Sequence, residues 1–464
     1  MNNMVNLYNL TRLSNDFELS KNYVSYICSF SKNKQYRHEE ITGIKKLISN
    51  LNLDNSYYDN FYYSYNLEIL NKEFDLIKVS NKNVLNIELK TINVGENRIL
   101  KQLMQNRYYL KLIGKPIISI TYIHKTNTLY ELVDDSLKEI SFDRLKEIFK
   151  ENKEIIKVNL DNYYTSDNIV RSPIQAPSRF INKDYILTET QNTIKERILN
   201  NFDKYKIIGL TGLAGTGKTL LLYDISRELE NCLIIHSTLL TNGHKEIENK
   251  LKISIISYVD LFKTNLDKYK YIFVDEAFRL SVDEIKYIIS KNINVIFAYD
   301  EYNVLDNDTV DYINEVIKFK YKLTYKIRCN EEISSFIDCL FNLNKFKHQN
   351  FNHIHLSYFD NKDEARNYFL SLKDVTYISP EAKSYLNNKC IDEMPIVNHI
   401  SGLEYDKVAM ILDESLVYIN NKLCSLNDKG ALKKNLYLGL TRARKEIYIG
   451  VLNPKILKKL LKLF

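Results

Sequence analysis

At 464 residues the chain is long enough for two or three domains, each with its own core. Hydrophobic residues make up 45% and charged residues 27%, the balance of a soluble globular protein, and a net charge of +7 is compatible with a polyanionic partner without requiring one. No apolar run is long enough to cross a membrane and MNNMVNLYNL carries no leader pattern. The six cysteines (28, 232, 329, 339, 390, 424) form neither a C-x-x-C pair nor a zinc spacing, so a cytoplasmic protein with reduced thiols is expected.

In chain order, HEEITGIKKLISNL (38–51) predicts an early helix with Glu39 and Glu40 in its first turn. NKEFDLIKVSNKNVLNIELKT (71–91) predicts two strands joined by the polar turn SNKN. Asp75 is expected at the end of the first strand. On the second, Glu88 and Lys90 are two apart and share a face. The helix that follows holds QNRYY, which sets Gln105 and Tyr109 one turn apart, with Lys101 and Arg107 nearby for backbone phosphate. TSDNIVRSPIQAPSRFINK (165–183) contains two of the six prolines, Pro173 and Pro177, and predicts an extended linker after a domain spanning 1–164.

Beyond the linker, KIIGL (206–210) reads as a buried strand and KTLLLYDISREL (218–229) as an amphipathic helix. Between them TGLAGTGKT (211–219) satisfies G-x-x-x-x-G-K-[ST]. Four of the chain's 12 glycines, Gly209, Gly212, Gly215 and Gly217, fall within nine residues. The backbone N–H groups of Gly212, Gly215, Thr216 and Gly217 are predicted to curl round phosphate oxygens at a helix N-terminus. Lys218 would reach the β/γ-phosphates and the Thr219 hydroxyl would ligate Mg²⁺. YIFVDEAFRL (271–280) is an apolar strand ending in Asp275 and Glu276, suited to hold the metal and to orient and deprotonate water, respectively. CLIIHST (232–238) and NVIFAYD (294–300) read as further buried parallel strands. A second set follows: DVTYISP (374–380), PIVNHI (395–400), KVAMIL (407–412) and EIYIGV (446–451). Two α/β units, 184–316 and 317–464, are expected. His353 and His355 alternate in FNHIHLSYF and read as ordinary strand histidines, and the basic tail 453–464 as a last packed helix.

This second part resembles superfamily 1 helicases over residues 184–464, with a compact D-E-A-Q-R-L type Walker B also found in Schlafen-related proteins. The resemblance assigns Gln191 of LTETQ (187–191) to adenine, and Ser237 and Thr238 of HSTLL (236–240) to single-stranded nucleic acid. It makes Arg328 of LTYKIRCN (323–330) the motif IV arginine. In VNHISGLEYD (397–406) it assigns Glu404 to ribose and His399 to nucleic acid, and Arg442 of LYLGLTRARK (436–445) becomes the arginine finger. Motif III departs from G-D-x-x-Q: Tyr299-Asp300-Glu301-Tyr302-Asn303 puts the shorter Asn303 at the γ-phosphate sensor, with Tyr299 and Tyr302 facing the strand. Ser401 stands where motif V has a lysine or glutamine. The implied cofactors are ATP and Mg²⁺ (or Mn²⁺) and the implied partner is nucleic acid, DNA by expectation. The second part lacks room for the insertions that act as unwinding wedges.

Residues 71–91 in turn resemble the D…(D/E)-x-K core of PD-(D/E)xK nucleases. That implies Asp75 and Glu88 as metal ligands, Lys90 beside the nucleophile, and Glu39 as an added ligand. QNRYY resembles the Q-x-x-x-Y element of RecB-type nucleases through Gln105 and Tyr109. The whole is expected to be α/β: a restriction-endonuclease-like domain followed by two RecA-like parallel domains, similar to bacterial nuclease–helicase immunity proteins. A repair enzyme, a translocase with a binding-only N-terminal fold, and a non-cutting ATP switch are the alternatives. The sequence leaves oligomeric state and protein partners open.

Overall fold

The computed structural model describes residues 4–28, 36–67, 72–156, 158–164, 172–202, 204–213, 215–300, 308–324, 331–346, 350–380, 403–426 and 431–464. The chain divides into two compact units, Met1–Ile169 and Val170–Phe464. Arg328, Tyr302, Asn303, His399, Ser401 and the expected strand 395–400 lie outside the described residues.

Unit 1 is built on a seven-stranded mixed sheet in the order β1-β2-β3-β4-β5-β6-β7: Met4–Val5, Phe61–Leu67, Lys72–Val79, Val84–Lys90, Ile117–Ile123, Thr128–Val133 and Ser136–Ile140. Only β4 and β5 run parallel, joined by the crossover helix Glu96–Leu110. The helix His38–Leu51 buries Ile41, Ile44, Leu47 and Leu51, an i, i+3, i+6, i+10 stripe that joins Leu76, Leu85 and Ile87 of the sheet in one core. The β3–β4 hairpin closes through Ser80, whose N–H donates to the Asn83 carbonyl at 2.9 Å. Its register pairs Leu76 with Ile87. Asp75 therefore lies inside β3, one step beyond that pair and opposite Glu88, and not at the strand's end.

Unit 2 carries two parallel sheets. The first has the order β10-β9-β11-β12-β8-β13: β8 Ile207–Gly212, β9 Cys232–His236, β10 Ser254–Ser257, β11 Tyr271–Asp275, β12 Asn294–Tyr299 and β13 Phe319–Leu323. Its central strands are buried on both faces, which is why they read as unbroken apolar runs. Because β13 pairs with β8, this lobe runs past residue 316, beyond the boundary expected from sequence. The second sheet has the order β14-β19-β16-β15: β14 Ile354–Tyr358, β15 Thr376–Tyr377, β16 Tyr405–Leu412 and β19 Ala443–Val451. A hairpin of β17 (Leu416–Ile419) and β18 (Lys422–Ser425) stands beside it.

The predicted extended linker is replaced, over its described part, by a turn and the short helix Pro177–Ile181 with Pro177 in its first turn. Arg227 Nη1 donates to the Phe180 carbonyl at 2.7 Å and Nη2 to that of Ile181 at 3.2 Å, which pins this strap to the first lobe.

Candidate functional site

The phosphate loop leaves β8 and ends at the helix Lys218–Ser226. Gly215 and Gly217 take φ of 80° and 83°, the left-handed region in which a side chain is strained, so the motif's glycines are needed there. The Lys218 ammonium donates to the carbonyls of Gly212 (2.6 Å) and Leu213 (2.9 Å), folded against the loop it would leave for a phosphate. Thr219 Oγ1 donates to Asp275 Oδ1 and Oδ2 at 3.2 and 3.0 Å, so the two groups expected at a metal face each other from the helix and the end of β11.

Asp275 is fully buried. Burial first, then the neighbouring charge of Glu276, pushes its pKa up to about 7. Behind it, Tyr223 and His236 Nε2 lie 2.6 Å apart, and burial keeps His236 neutral. Glu276 has φ 50°, a left-handed conformation rare for a residue with a side chain. Ser237 Oγ bridges the carbonyls of Asp275 (2.5 Å) and Glu276 (2.8 Å) and holds that turn.

Arg442 follows the helix Ala431–Leu440 and reaches back across the cleft. Its Nη2 donates to Glu276 Oε1 at 2.7 Å, and Arg279 Nη1 holds Oε2 at 3.1 Å. Burial works against the Arg442 charge, but Glu276, Glu404 and Asp275 together keep its pKa above the ordinary value. Gly215, Gly217, Lys218, Thr219, Asp275, Glu276, Asp300 and Arg442 line one open cleft. Glycine backbone, a helix N-terminus, a hydroxyl facing a carboxylate, and an arginine opposite an acid fit a nucleotide triphosphate with its divalent cation.

Other expected residues stand elsewhere. Gln191 is buried. Its Oε1 accepts from the Thr188 N–H (2.8 Å) and its Nε2 donates to the Thr216 carbonyl (3.2 Å), so it props the phosphate loop and is not open to a base. Ser237, Thr238 and Tyr299, expected on nucleic acid, are buried. Ser237 is spent on the Walker B turn, and the Tyr299 hydroxyl donates to Asn314 Oδ1 at 2.9 Å. Glu404 is buried, and its backbone is engaged by Gln175 of the strap. His355 stacks on Tyr448 and His353 bonds Glu332, ordinary roles for both. The sequence reading missed Arg279 and Gln175.

In unit 1, Asp75 and Glu88 form a buried acidic pair. Asp75 Oδ2 accepts the Leu89 N–H at 2.8 Å. Its pKa is nonetheless raised well above the carboxylate range by burial, then by Glu88 and Glu40, with Lys90 opposing. Glu88 accepts from Asn106 Nδ2 at 2.7 Å and from the Gln102 amide. The helix thus turns Gln102 and Asn106 toward the acid. Gln105 is half-buried off that line and Tyr109 is packed in the core, which displaces the expected Q-x-x-x-Y contact. Glu39 points outward, its side chain 67% exposed and its carboxylate 3.6 Å from His124 Nε2. Glu40 is the helix acid whose charge reaches Asp75. Among the described residues no three His, Cys, Asp or Glu side chains are grouped to hold a metal.

Residues 208–450, more than half of the chain, match the family described as the viral superfamily 1 RNA helicase core domain, and the chain belongs to that family. A curated relative, the phenylalanine–tRNA ligase beta subunit of Mycoplasma mycoides subsp. mycoides SC, is 24% identical over 514 residues. The alignment takes in 99% of this chain, which spans 60% of that protein's length. Among solved structures, an arterivirus nonstructural protein 10 helicase with DNA superposes at a TM-score of 0.35 and 14% identity, over 60% of this chain and 68% of its own. A Bacteroides Pif1 helicase in complex with ADP-AlF3 and single-stranded DNA gives 0.35 and 11% over 58% and 94%. No helix among the described residues is long and apolar enough to cross a membrane.

Proposed function

We propose that the chain is an ATP-hydrolysing helicase-type motor acting on nucleic acid, with DNA as the first substrate to test. The observation that carries this reading is the convergence of Lys218, Thr219, Asp275, Glu276 and Arg442 on one cleft. Lys218 leaves the loop carbonyls for the β/γ-phosphates. Thr219 and Asp275 would hold a divalent cation, which when bound would offset phosphate charge. Arg442 moves from Glu276 Oε1 to the γ-phosphoryl oxygens, and that exchange frees Glu276 to orient water and accept its proton.

Unit 1 is proposed to cleave the strand. Supporting this are the buried Asp75–Glu88 pair, which like charge and burial make receptive to a cation, and Lys90 close enough to lower the Asp75 pKa. The outward turn of Glu39, the added ligand expected, favours a second reading in which unit 1 binds nucleic acid without cutting it. The biological setting we favour, bacterial defence against phage in the cytoplasm, rests on resemblance of architecture, with repair as its rival.

Labelled single-stranded DNA, duplex, tailed duplex and RNA, incubated with Mg²⁺ with and without ATP, test these readings. Lys218→Ala is expected to abolish ATP turnover, and normal turnover in it would sink the nucleotide-site assignment. Loss of cutting in Lys90→Ala would support the nuclease. No cutting of any substrate by the wild type, with ATP turnover intact, would favour the binding-only unit.

A further inference from the structure

We propose that Gln175, in the strap that leads into unit 2, is a positioning residue for the catalytic arginine: it fixes the backbone of Glu404 beside Arg442. The inference rests on the ATP-hydrolysis reading above. The Gln175 carboxamide makes a closed pair of hydrogen bonds with one residue 229 positions away. Its Nε2 donates to the Glu404 carbonyl at 2.7 Å, and the Glu404 N–H donates to its Oε1 at 3.1 Å. A primary amide has the donor and acceptor of a peptide unit, so Gln175 completes the Glu404 backbone as a neighbouring strand would.

The strap is held equally firmly at its other side. Arg227 stacks over the Phe180 ring (5.1 Å to the centroid) while binding the carbonyls of Phe180 and Ile181. The helix Asn242–Leu251 approaches so closely that a Cβ on Gly243 would lie 1.9 Å from the Ile174 carbonyl oxygen. One short segment therefore grips the phosphate-loop lobe and reaches the lobe that carries Arg442.

From Glu404 the route to the chemistry is direct. The next residue, Tyr405, donates its N–H to the Arg442 carbonyl at 3.0 Å. The Glu404 carboxylate is among the charges that sustain the Arg442 cation. Arg442 in turn holds Glu276 at 2.7 Å. Releasing Gln175 loosens the backbone on which the arginine is aimed, without touching the groups that bind phosphate in the ground state.

The test uses the full chain with Gln175→Ala, Gln175→Glu and Gly243→Ala, read by amide hydrogen exchange at Glu404 and by ATP turnover. Gln175→Ala removes both hydrogen bonds, and Gly243→Ala displaces the strap from its other anchorage. Both are expected to speed exchange at Glu404 and to lower kcat on the order of tenfold, with KM for ATP within about twofold of wild type. Gln175→Glu keeps the acceptor for the Glu404 N–H and loses the donor, so its kcat should fall between. Wild-type kcat in the alanine variants despite faster exchange, unchanged exchange, or a raised KM at unchanged kcat would each overturn the proposal. A wild type that turns over no ATP would instead remove the hydrolysis reading, and the exchange at Glu404, which needs no nucleotide, tells the two failures apart.

Discussion

Asp275 shows how one buried carboxylate ties stability to ligand binding. Its pKa is raised from the ordinary 3.8 to about 7, so the folded state favours the protonated form more than the unfolded chain does. Its contribution to stability is therefore fully present below pH 4, falls as pH rises, and is lost once pH passes about 7. The ligand-free protein should thus gain thermal midpoint from this residue when pH drops from 8 to 6. Asp275→Asn should flatten that slope, as measured by calorimetry at a series of pH values. Stabilisation by Mg²⁺ and nucleotide should run the other way, larger at pH 8 than at pH 6, because the cation needs the carboxylate. At the next residue, the left-handed backbone of Glu276 costs about 1–2 kcal/mol. The Ser237 hydroxyl, donating to both carbonyls of the turn, offsets part of that cost and keeps the acid aimed at the cleft.

At the level of elements, what was legible in the sequence follows from burial. Strands β8, β9, β11 and β12 are covered on both faces and announce themselves as apolar runs between turn residues. Strand β13 was missed because it lies at the sheet's rim and turns Lys320 and Lys322 to solvent. Strand β10 was missed because SIIS is only four residues long. The strap was misread because Pro173 and Pro177 were taken for extended chain, whereas proline is also at home in the first turn of a helix, where Pro177 sits. In the helix Glu96–Leu110 the residues singled out from sequence, Gln105 and Tyr109, stand one row away from Gln102 and Asn106, which meet Glu88. Ile99, Leu103, Asn106 and Leu110 form the inward stripe, so the polar residue interrupting it was the available signal for a group that meets Glu88. That gives a test of the helix's role. Asn106→Ala removes one of the two amides on a buried carboxylate and should destabilise the protein by about 1–3 kcal/mol, read as a shift in denaturant midpoint. Gln105→Ala, on the neighbouring row, should leave the midpoint nearly unchanged. The facing of Thr219 and Asp275 was legible from local motif spacing alone. The acids around Asp75 depend on how a distant helix is rotated, which spacing does not encode.

The whole molecule is two units with separate cores, one around the mixed sheet of residues 1–169 and the other around the two parallel sheets that follow. Where the chain enters the second unit it makes a very narrow fit, the Ile174 carbonyl against Gly243. That fit has an evolutionary consequence. Position 243 admits only hydrogen for as long as the chain passes there, and the glutamine at 175 has its partner only while the path is kept. The two positions should therefore drift together. In an alignment of relatives, those with any side chain at 243 should also have lost the amide at 175, and independent variation at the two sites would count against the fit. A strap of this kind is inherited whole or abandoned whole, which makes a lone glycine on a surface helix a marker of lineage for the amide of Gln175, 68 residues earlier in the chain.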